Sequence, residues 1–326
     1  MSASRLWPYL LLLVCLAAAG AALLSKRPPK LTPPTVAPTP AVPNPPLAEL
    51  EAPVQEILAA SRKGVVEAPA SANAWGWYAA VLDAHQYSAE AQVCYRRARE
   101  LAPRDKRFAY NYAILLDTLG GEPERSIELL RIVEDQDPGY PPVHVRMAHS
   151  LSRKGDAAGS AAEYRRALEL DPALTIARRG LGRILLDLEQ FDEAQRELDR
   201  VVAAVPGDGP THAALAQLYT EHGETERAAA ASKLARDLPD ALTLPDPLHF
   251  IVLEQGRSAR LATARAEGRM LDGDFAGAAA DYEIVLRTRA QDPKIHERLA
   301  QAYQRLGKTA RAQAELAEAK RLREKP

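Results

Sequence analysis

Five prolines recur through the middle of the chain at an almost constant interval, and this interval constrains the fold more than any other feature. The successive intervals are 34, 35, 34 and 34 residues. Each proline closes a stretch in which apolar residues recur every three or four positions, which is the spacing of one helix face. A period near 34 predicts an array of helix–turn–helix units that bury their apolar faces against their neighbours. The prolines are Pro69, Pro103, Pro138, Pro172 and Pro206.

The first complete unit shows which residues would pack. Trp75, Tyr78 and Ala79 share one face of a predicted helix, and Ala91 and Tyr95 share a face of the next. This pattern resembles the tetratricopeptide repeat, which reads W-x2-L-G-x2-Y, then A-x3-F, then P. The resemblance implies that the small residues allow close approach of the two helices, while the aromatic rings join one unit to the next.

The resemblance covers roughly residues 54–326 and implies an all-α solenoid of about seven repeats. Residues 54–240 would hold an N-terminal capping helix and five repeats, and residues 241–250 an irregular, proline-containing connection. Residues 251–326 would add two further repeats, the first of them degenerate. We expect the extra residue of the 35-residue interval in the Gly120–Gly121 turn, because a turn accepts an insertion that a helix would not.

The first fifty residues have a different character. After a flank of residues 1–5, residues 6–24 run for 19 positions without a charge, and a helix of that length spans about 28 Å, close to the roughly 30 Å of a bilayer's hydrocarbon core. We expect a transmembrane anchor. A cleaved signal peptide is the alternative, since Ala17–Ala19 offers small residues of the kind that cleavage requires. Residues 25–53 form a Pro-rich linker with nine prolines at positions 28–46, expected to be an extended spacer or a ligand for a proline-reading domain.

This layout predicts a single-pass membrane protein whose repeats lie in the periplasm or outside the cell. Secretion after signal cleavage is the alternative. The Ala- and Arg-rich composition is typical of a bacterium with a GC-rich genome.

Charge and cysteine content argue against several functions. The chain has 42 basic and 43 acidic side chains, which argues against nucleic-acid binding by phosphate neutralisation. Its two cysteines, Cys15 and Cys94, form no metal or haem-attachment motif. Because the repeats and the anchor take up nearly the whole chain, we expect no catalytic domain, no cofactor and no small-molecule substrate.

Three histidines take the position that Trp75 holds in the first unit. Equivalent positions in different repeats lie far apart along a solenoid, whereas metal ligands must converge on one point. The pattern therefore favours a packing role. The three are His144, His212 and His296.

We expect a non-catalytic scaffold that binds a protein or peptide partner in the cell envelope. The alternative is an accessory subunit of a membrane enzyme or of an envelope-assembly machine, such as that of cytochrome c maturation. Some proteins of this family hold the C-terminal carboxylates of heat-shock chaperones in a five-residue clamp. Only Asn111 and Arg146 match that clamp, while Gly76, Ala80 and Pro142 replace its other members. The sequence therefore does not predict this ligand.

The resemblance also implies that the first helix of each repeat lines a concave face. Arg179 and Arg183 fall one turn apart there and repel each other unless an anion lies between them, or unless each pairs with a neighbour such as Asp187 or Glu221. Our hypothesis is an extended or helical peptide with an acidic group near the two arginines and an apolar group near Tyr110. The predicted groove residues are Tyr110, Ile114, Asp117, Val145, His149, Ser152, Arg179, Arg183, Leu186, Ala213, Gln217 and Thr220.

Overall fold

The computed structural model describes residues 40–324, which form sixteen α-helices and no strand. One helix is followed by seven helix pairs, and a short helix separates the fifth pair from the sixth. The bounds are α1 Ala52–Glu67, α2 Ala72–Ala84, α3 Ser88–Leu101, α4 Lys106–Leu119, α5 Pro123–Gln136, α6 Pro141–Lys154, α7 Ala157–Leu170, α8 Thr175–Asp187, α9 Phe191–Ala204, α10 Gly209–Glu221, α11 Thr225–Asp237, α12 Pro247–Leu253, α13 Ala259–Asp272, α14 Phe275–Leu286, α15 Pro293–Arg305 and α16 Thr309–Arg323.

The turn inside each of the seven pairs contains a residue with a positive φ angle, and the turn of the second pair contains two, Gly120 and Glu122. The first such residue of each turn follows the previous one by 34 or 35 residues, except for a longer interval between Gly223 and Gly273. In the second pair the next helix begins three residues after this first residue, whereas in the other pairs it begins two residues after it. The extra residue of the 35-residue interval therefore lies in the turn after Gly120, as predicted. The first such residues of the seven turns are Gln86, Gly120, Gly155, Glu189, Gly223, Gly273 and Gly307.

The position held by Trp75 joins a helix pair to the turn before it. The Trp75 ring N–H donates to the Pro69 carbonyl at 2.9 Å. His212 and His296 place Nε2 at 2.9 Å and 3.0 Å from the carbonyl oxygen of the residue six positions earlier, which is the same contact. His144 is buried and places Nδ1 at 2.8 Å from a carboxylate of α7. The predicted packing role of these histidines is confirmed.

Apolar side chains form three clusters along the array. The first spans α1 to α6, the second α6 to α11, and the third α13 to α16. The ends of the array are covered as a solenoid requires. The capping helix α1 buries Val54, Leu58 and Val65, whereas the final helix buries only Ala312 and Ala319.

The second and third clusters are joined by residues 239–258, which we call the strap. The sequence predicts an irregular connection at residues 241–250, but α12 begins within it at Pro247. Instead of continuing the stack, the strap turns back, and α12 packs against α2 and α4. Beyond the strap, the Ala259 N–H donates to a Glu51 carboxylate oxygen at 2.6 Å, so the sixth pair meets the front of the array.

The described end of the Pro-rich linker also packs on the helices. The Pro43 carbonyl accepts hydrogen bonds from the Tyr78 hydroxyl at 2.9 Å and from Arg62 Nε at 3.1 Å. Leu47 and Leu50 are partly buried against the first cluster. This part of the linker is therefore attached to the solenoid and is not a free spacer.

Within residues 40–324, no helix combines the length and the apolar character needed to cross a membrane. The predicted anchor, residues 6–24, lies outside the described residues.

Candidate peptide-binding groove

The first helices of the first five pairs form one continuous face. Contacts run in series from α2 to α4, α6, α8 and α10, and the second helices of successive pairs make no comparable contacts in the described region. The array therefore curves with its first helices on the inside. We call this inner face the concave groove.

The strap lies along the groove from the fifth pair back to the first. At its start, the Gly209 N–H donates to the Pro239 carbonyl at 2.8 Å. At its end, His85 Nε2 lies 3.2 Å from the Gln255 carbonyl oxygen. The groove thus already holds a segment of polypeptide, supplied by the chain itself.

Asp246 anchors the middle of the strap. Its carboxylate accepts hydrogen bonds from the Tyr110 hydroxyl at 2.8 Å, the Tyr140 hydroxyl at 2.7 Å and Arg146 Nη2 at 2.8 Å. It also accepts the His249 N–H at the start of α12, at 3.4 Å, as an N-cap does. Charge-assisted hydrogen bonds of this kind are about twice as strong as neutral ones. The three side-chain donors around Asp246 thus form a carboxylate pocket, which we call the Asp246 pocket.

Burial fixes the protonation of the groups in this pocket. Burial first, and then the neighbouring carboxylate, raise the pKa of Tyr110 far above its ordinary value. Burial is also the main reason that the pKa of Tyr140 is raised. Both hydroxyls therefore remain protonated and donate at neutral pH. Burial and the Arg146 charge lower the pKa of His249 to about 4, so its ring is neutral.

Asn111 recognises the turn after Asp246. Its side-chain amide donates to the Leu248 carbonyl at 3.1 Å, and its Oδ1 lies 3.0 Å from His249 Nδ1. The Leu248 N–H donates in turn to the Tyr140 oxygen at 3.2 Å. Both the backbone and the side chains of the strap are therefore bound by groove residues.

An apolar contact follows on the next turn of α12. Ile251 lines a cavity of about 210 Å³ together with Gly76, Trp77 and Phe108. A Cβ atom on Gly76 would lie 2.1 Å from the Phe108 ring. A glycine at this position therefore brings α2 close to α4.

Arg179 holds the beginning of the strap. Its Nη1 donates to Asp208 Oδ1 at 2.9 Å and to Asp240 Oδ1 at 2.7 Å. The Ala241 N–H also donates to Asp208, at 3.0 Å. Two acidic groups do lie at Arg179, but they are the N-cap residue of α10 and a residue of the strap, not the predicted neighbours Asp187 or Glu221.

Beside the strap, the groove retains an open cavity of about 390 Å³, which we call the Arg183 cavity. Arg183 is exposed there and has no hydrogen-bond or ion-pair partner among the described residues. Burial, followed by the charges of Arg146, Arg183 and Arg179, lowers the pKa of His149 to about 4. Since His149 is neutral at pH 7, the positive charge in this cavity comes from arginines. The cavity is lined by Ile114, Asp117, Arg146, His149, Ser152 and Arg183, among others.

Two acidic groups also face this region. Asp117 accepts from the Ser150 hydroxyl at 2.8 Å, and burial raises its pKa. Arg153 donates to the Asp117 carbonyl. Asp187 is exposed and, like Arg183, lines both this cavity and a second one of about 260 Å³ that also contains Gln217. No ion pair joins Asp187 to Arg183 among the described residues. The Arg183 guanidinium therefore remains available to a ligand between the two cavities.

The other predicted groove residues lie in different surroundings. Val145 and Leu186 belong to the apolar core of the second cluster and do not line the groove. Tyr110 is buried under the strap. Ala213 is exposed and lines the second cavity. Thr220 is exposed and donates to a carbonyl of its own helix.

Sequence reasoning missed the strap and two of the groups that hold it, Tyr140 and Arg146. Arg146 follows Val145, the residue that was predicted to face the groove, so the lining extends one position further around the helix than expected. The comparison with the carboxylate clamp of chaperone-binding repeat proteins is the signal that could have identified Arg146. Asn111 and Arg146 are the two positions that match the clamp, and both bind the strap.

Metal binding and cysteine chemistry have no support among the described residues. No group of three or more His, Cys, Asp or Glu side chains within residues 40–324 could hold a metal ion. Cys94 is fully buried, and burial raises the pKa of its thiol to about 12, so it is not a nucleophile at neutral pH.

Family models identify the repeats. Three models, each described as a tetratricopeptide repeat, match residues 80–141, 151–218 and 293–326, and together they cover about half of the chain. The chain is a tetratricopeptide repeat protein. This confirms the family and the all-helical solenoid that the sequence predicts, with seven helix pairs in the described region.

Solved structures agree with this fold. A tetratricopeptide repeat protein from Parabacteroides merdae superposes with a TM-score of 0.50 at 16% identity, over 77% of this chain and 98% of that one. YrrB, described as a TPR protein with an unusual peptide-binding site, gives 0.46 at 18% identity, over 62% of this chain and all of that one. At 16% identity, the likeness to the Parabacteroides protein shows the fold alone. A search of curated proteins finds no match.

Proposed function

We propose that this tetratricopeptide repeat protein is a non-catalytic scaffold that binds an extended segment of a partner protein in the concave groove, with an acidic group of the partner at Arg183. The observation that carries the proposal is the strap. The groove already binds one segment of polypeptide through a carboxylate, a backbone carbonyl and an apolar side chain. The Arg183 cavity lies beside that segment and contains an arginine with no partner among the described residues.

The chemistry of the Arg183 cavity favours a carboxylate. A guanidinium presents donors in a planar fork that matches a carboxylate. Ile114 and Ile184 supply apolar wall on the same cavity, so an acidic residue next to an apolar one fits best. An exposed arginine that gains such a partner contributes less than a buried pair does, and we expect Arg183 to set the position of the ligand as well as its affinity.

The proposal includes a membrane tether. Its support is the run of 19 uncharged residues at positions 6–24, close to the length that spans a bilayer. The repeats would then act in the periplasm or outside the cell. Alkaline washing should leave the protein in the membrane pellet, and added protease should reach the repeats only from the outer side. A mature amino terminus at Gly20 or later would contradict the tether.

The scaffold is tested by co-purification from mildly solubilised membranes. We expect a stoichiometric partner with the wild type, loss of that partner with Arg183→Ala, and retention with Arg196→Ala. Arg196 is the matched control because it is an exposed arginine on a second helix, α9. If Arg183→Ala and Arg196→Ala both retain the partner as the wild type does, the binding surface lies outside the groove. Turnover by the purified protein alone would contradict a non-catalytic role.

A further inference from the structure

We propose that the Asp246 pocket is a recognition site for a short segment of a partner that begins with an aspartate at the start of a helical turn, and that the strap occupies it in the partner's absence. This inference rests on the proposed function, because both use the concave groove. It concerns a second site with its own residues, and it can fail while binding at Arg183 holds.

The pocket is selective for a carboxylate. Its three side-chain donors, on Tyr110, Tyr140 and Arg146, all point at the two oxygens of one carboxylate. A carboxylate only accepts hydrogen bonds, whereas an amide would direct its own N–H groups at one or more of these donors. Asn111 then reads the backbone two residues later. Together these contacts define an aspartate followed by one helical turn.

The strap is attached as a bound peptide is, not as a helix of the array is. Within residues 239–258, Val252 is the one apolar side chain that is fully buried, while Phe250 and Leu253 are each 50% exposed. The repeat helices instead bury whole apolar faces in the three clusters. The strap adds two partly buried leucines, Leu248 on the first cluster and Leu244 on the second, to its polar contacts at Asp246. A competing segment of the same chemistry can replace both kinds of contact.

The Asp246 pocket and the Arg183 cavity share one residue. Arg146 donates to Asp246 and also lines the cavity. A partner that places one acidic residue in each site therefore makes the contacts that Asp246 makes and gains those at Arg183. The strap is tethered, and its effective concentration is in the millimolar range for short flexible linkers. The additional contacts at Arg183 allow an external segment to compete with it for the pocket.

The test uses the full chain and a fluorescent peptide with the sequence of residues 239–258. Asp246→Asn in the full chain weakens its own strap without changing the shape of the side chain. We expect this variant to bind the peptide about tenfold more tightly than the wild type does, because one charge-assisted hydrogen bond fewer holds the competitor. The same peptide carrying Asp246→Asn should bind at least tenfold more weakly, and adding Arg146→Ala to the protein should abolish binding.

Two controls keep the outcome decisive. Helicity measured by circular dichroism verifies that each variant is folded, and Arg196→Ala, an exposed position on α9 outside the groove, should leave binding of the peptide unchanged. In the wild type, excess peptide should speed hydrogen exchange of the strap amides from residue 246 to residue 256. If the folded variants do not bind the peptide, or bind it equally with and without the aspartate, the pocket is a fixed internal brace and the proposal is wrong.

Discussion

Arg179 and Arg183 lie one turn apart on α8 and offer a matched pair of substitutions. Both were predicted to bind an acidic group of a partner. In the structure, Arg179 pairs with Asp208 and Asp240, and its side chain is 12% exposed. Arg183 is exposed in the Arg183 cavity. We therefore expect Arg179→Ala to destabilise the array and Arg183→Ala to affect binding alone.

The magnitude follows from what each substitution leaves behind. Removing one partner of a fully buried ion pair costs about 3–5 kcal/mol. Asp208 is fully buried, but it keeps its hydrogen bonds from the Thr211 N–H and the Ala241 N–H. We therefore expect a loss of about 2 kcal/mol for Arg179→Ala, on the scale of one charge-assisted hydrogen bond. Exposed Arg183→Ala should change stability by less than about 0.5 kcal/mol.

Hydrogen exchange measured by mass spectrometry separates the two variants. A loss of about 2 kcal/mol corresponds to roughly 30-fold faster exchange, and we expect it in α8, α10 and the first residues of the strap for Arg179→Ala. Arg183→Ala should leave exchange nearly unchanged. Equal effects of the two substitutions would refute the assignment of Arg179 as the internal anchor and Arg183 as the free one.

Three further predictions concern packing, pH and cooperativity. Gly76→Ala should lower the free energy of unfolding by about 1–3 kcal/mol, because the added methyl group meets an aromatic ring of α4. The control is Gly64→Ala, which has open space within α1 and should be neutral or stabilising. Urea unfolding measures both variants. His249 has a lowered pKa in the folded state, so the unfolded chain gains a proton first as pH falls; stability should drop below pH 6.5 until about pH 4, and His249→Gln should flatten that slope. Hydrogen exchange should show residues 239–271 opening before residues 75–206, because the third apolar cluster is separate from the other two; uniform protection would contradict this.

The repeat frame could be predicted because its packing contacts join residues that are close in the chain. Trp75, Ala79 and Tyr95 pack within one helix pair, and the same positions recur every 34 or 35 residues. The same packing pattern therefore appears independently in each repeat. The contact between His212 and the residue six positions earlier follows from the equivalence with Trp75. These are contacts between residues close in the chain, which periodicity reports directly.

The strap could not be predicted in this way. Asp246 meets Tyr110 across 136 residues of sequence, and a hydrogen bond between distant positions leaves no periodic trace. The sequence predicts an apolar group near Tyr110, but the strap places the Asp246 carboxylate at its hydroxyl. It also predicts an acidic group of a ligand near Arg179, but the partners of Arg179 are Asp208 and Asp240 of the chain itself. The local sequence thus predicts that the groove binds an acidic group, but it does not predict that the strap supplies that group.

Site-specific photocrosslinking in cells tests most directly whether the concave groove is the binding face. A photoreactive residue at Ser152 or Gln217 lies in the groove, and one at Asp199 lies exposed on the second helix α9. We expect the same partner to be captured from both groove positions, not from Asp199, and capture to be lost with Arg183→Ala. Capture of that partner from Asp199 alone, or capture unaffected by Arg183→Ala, would contradict binding in the groove.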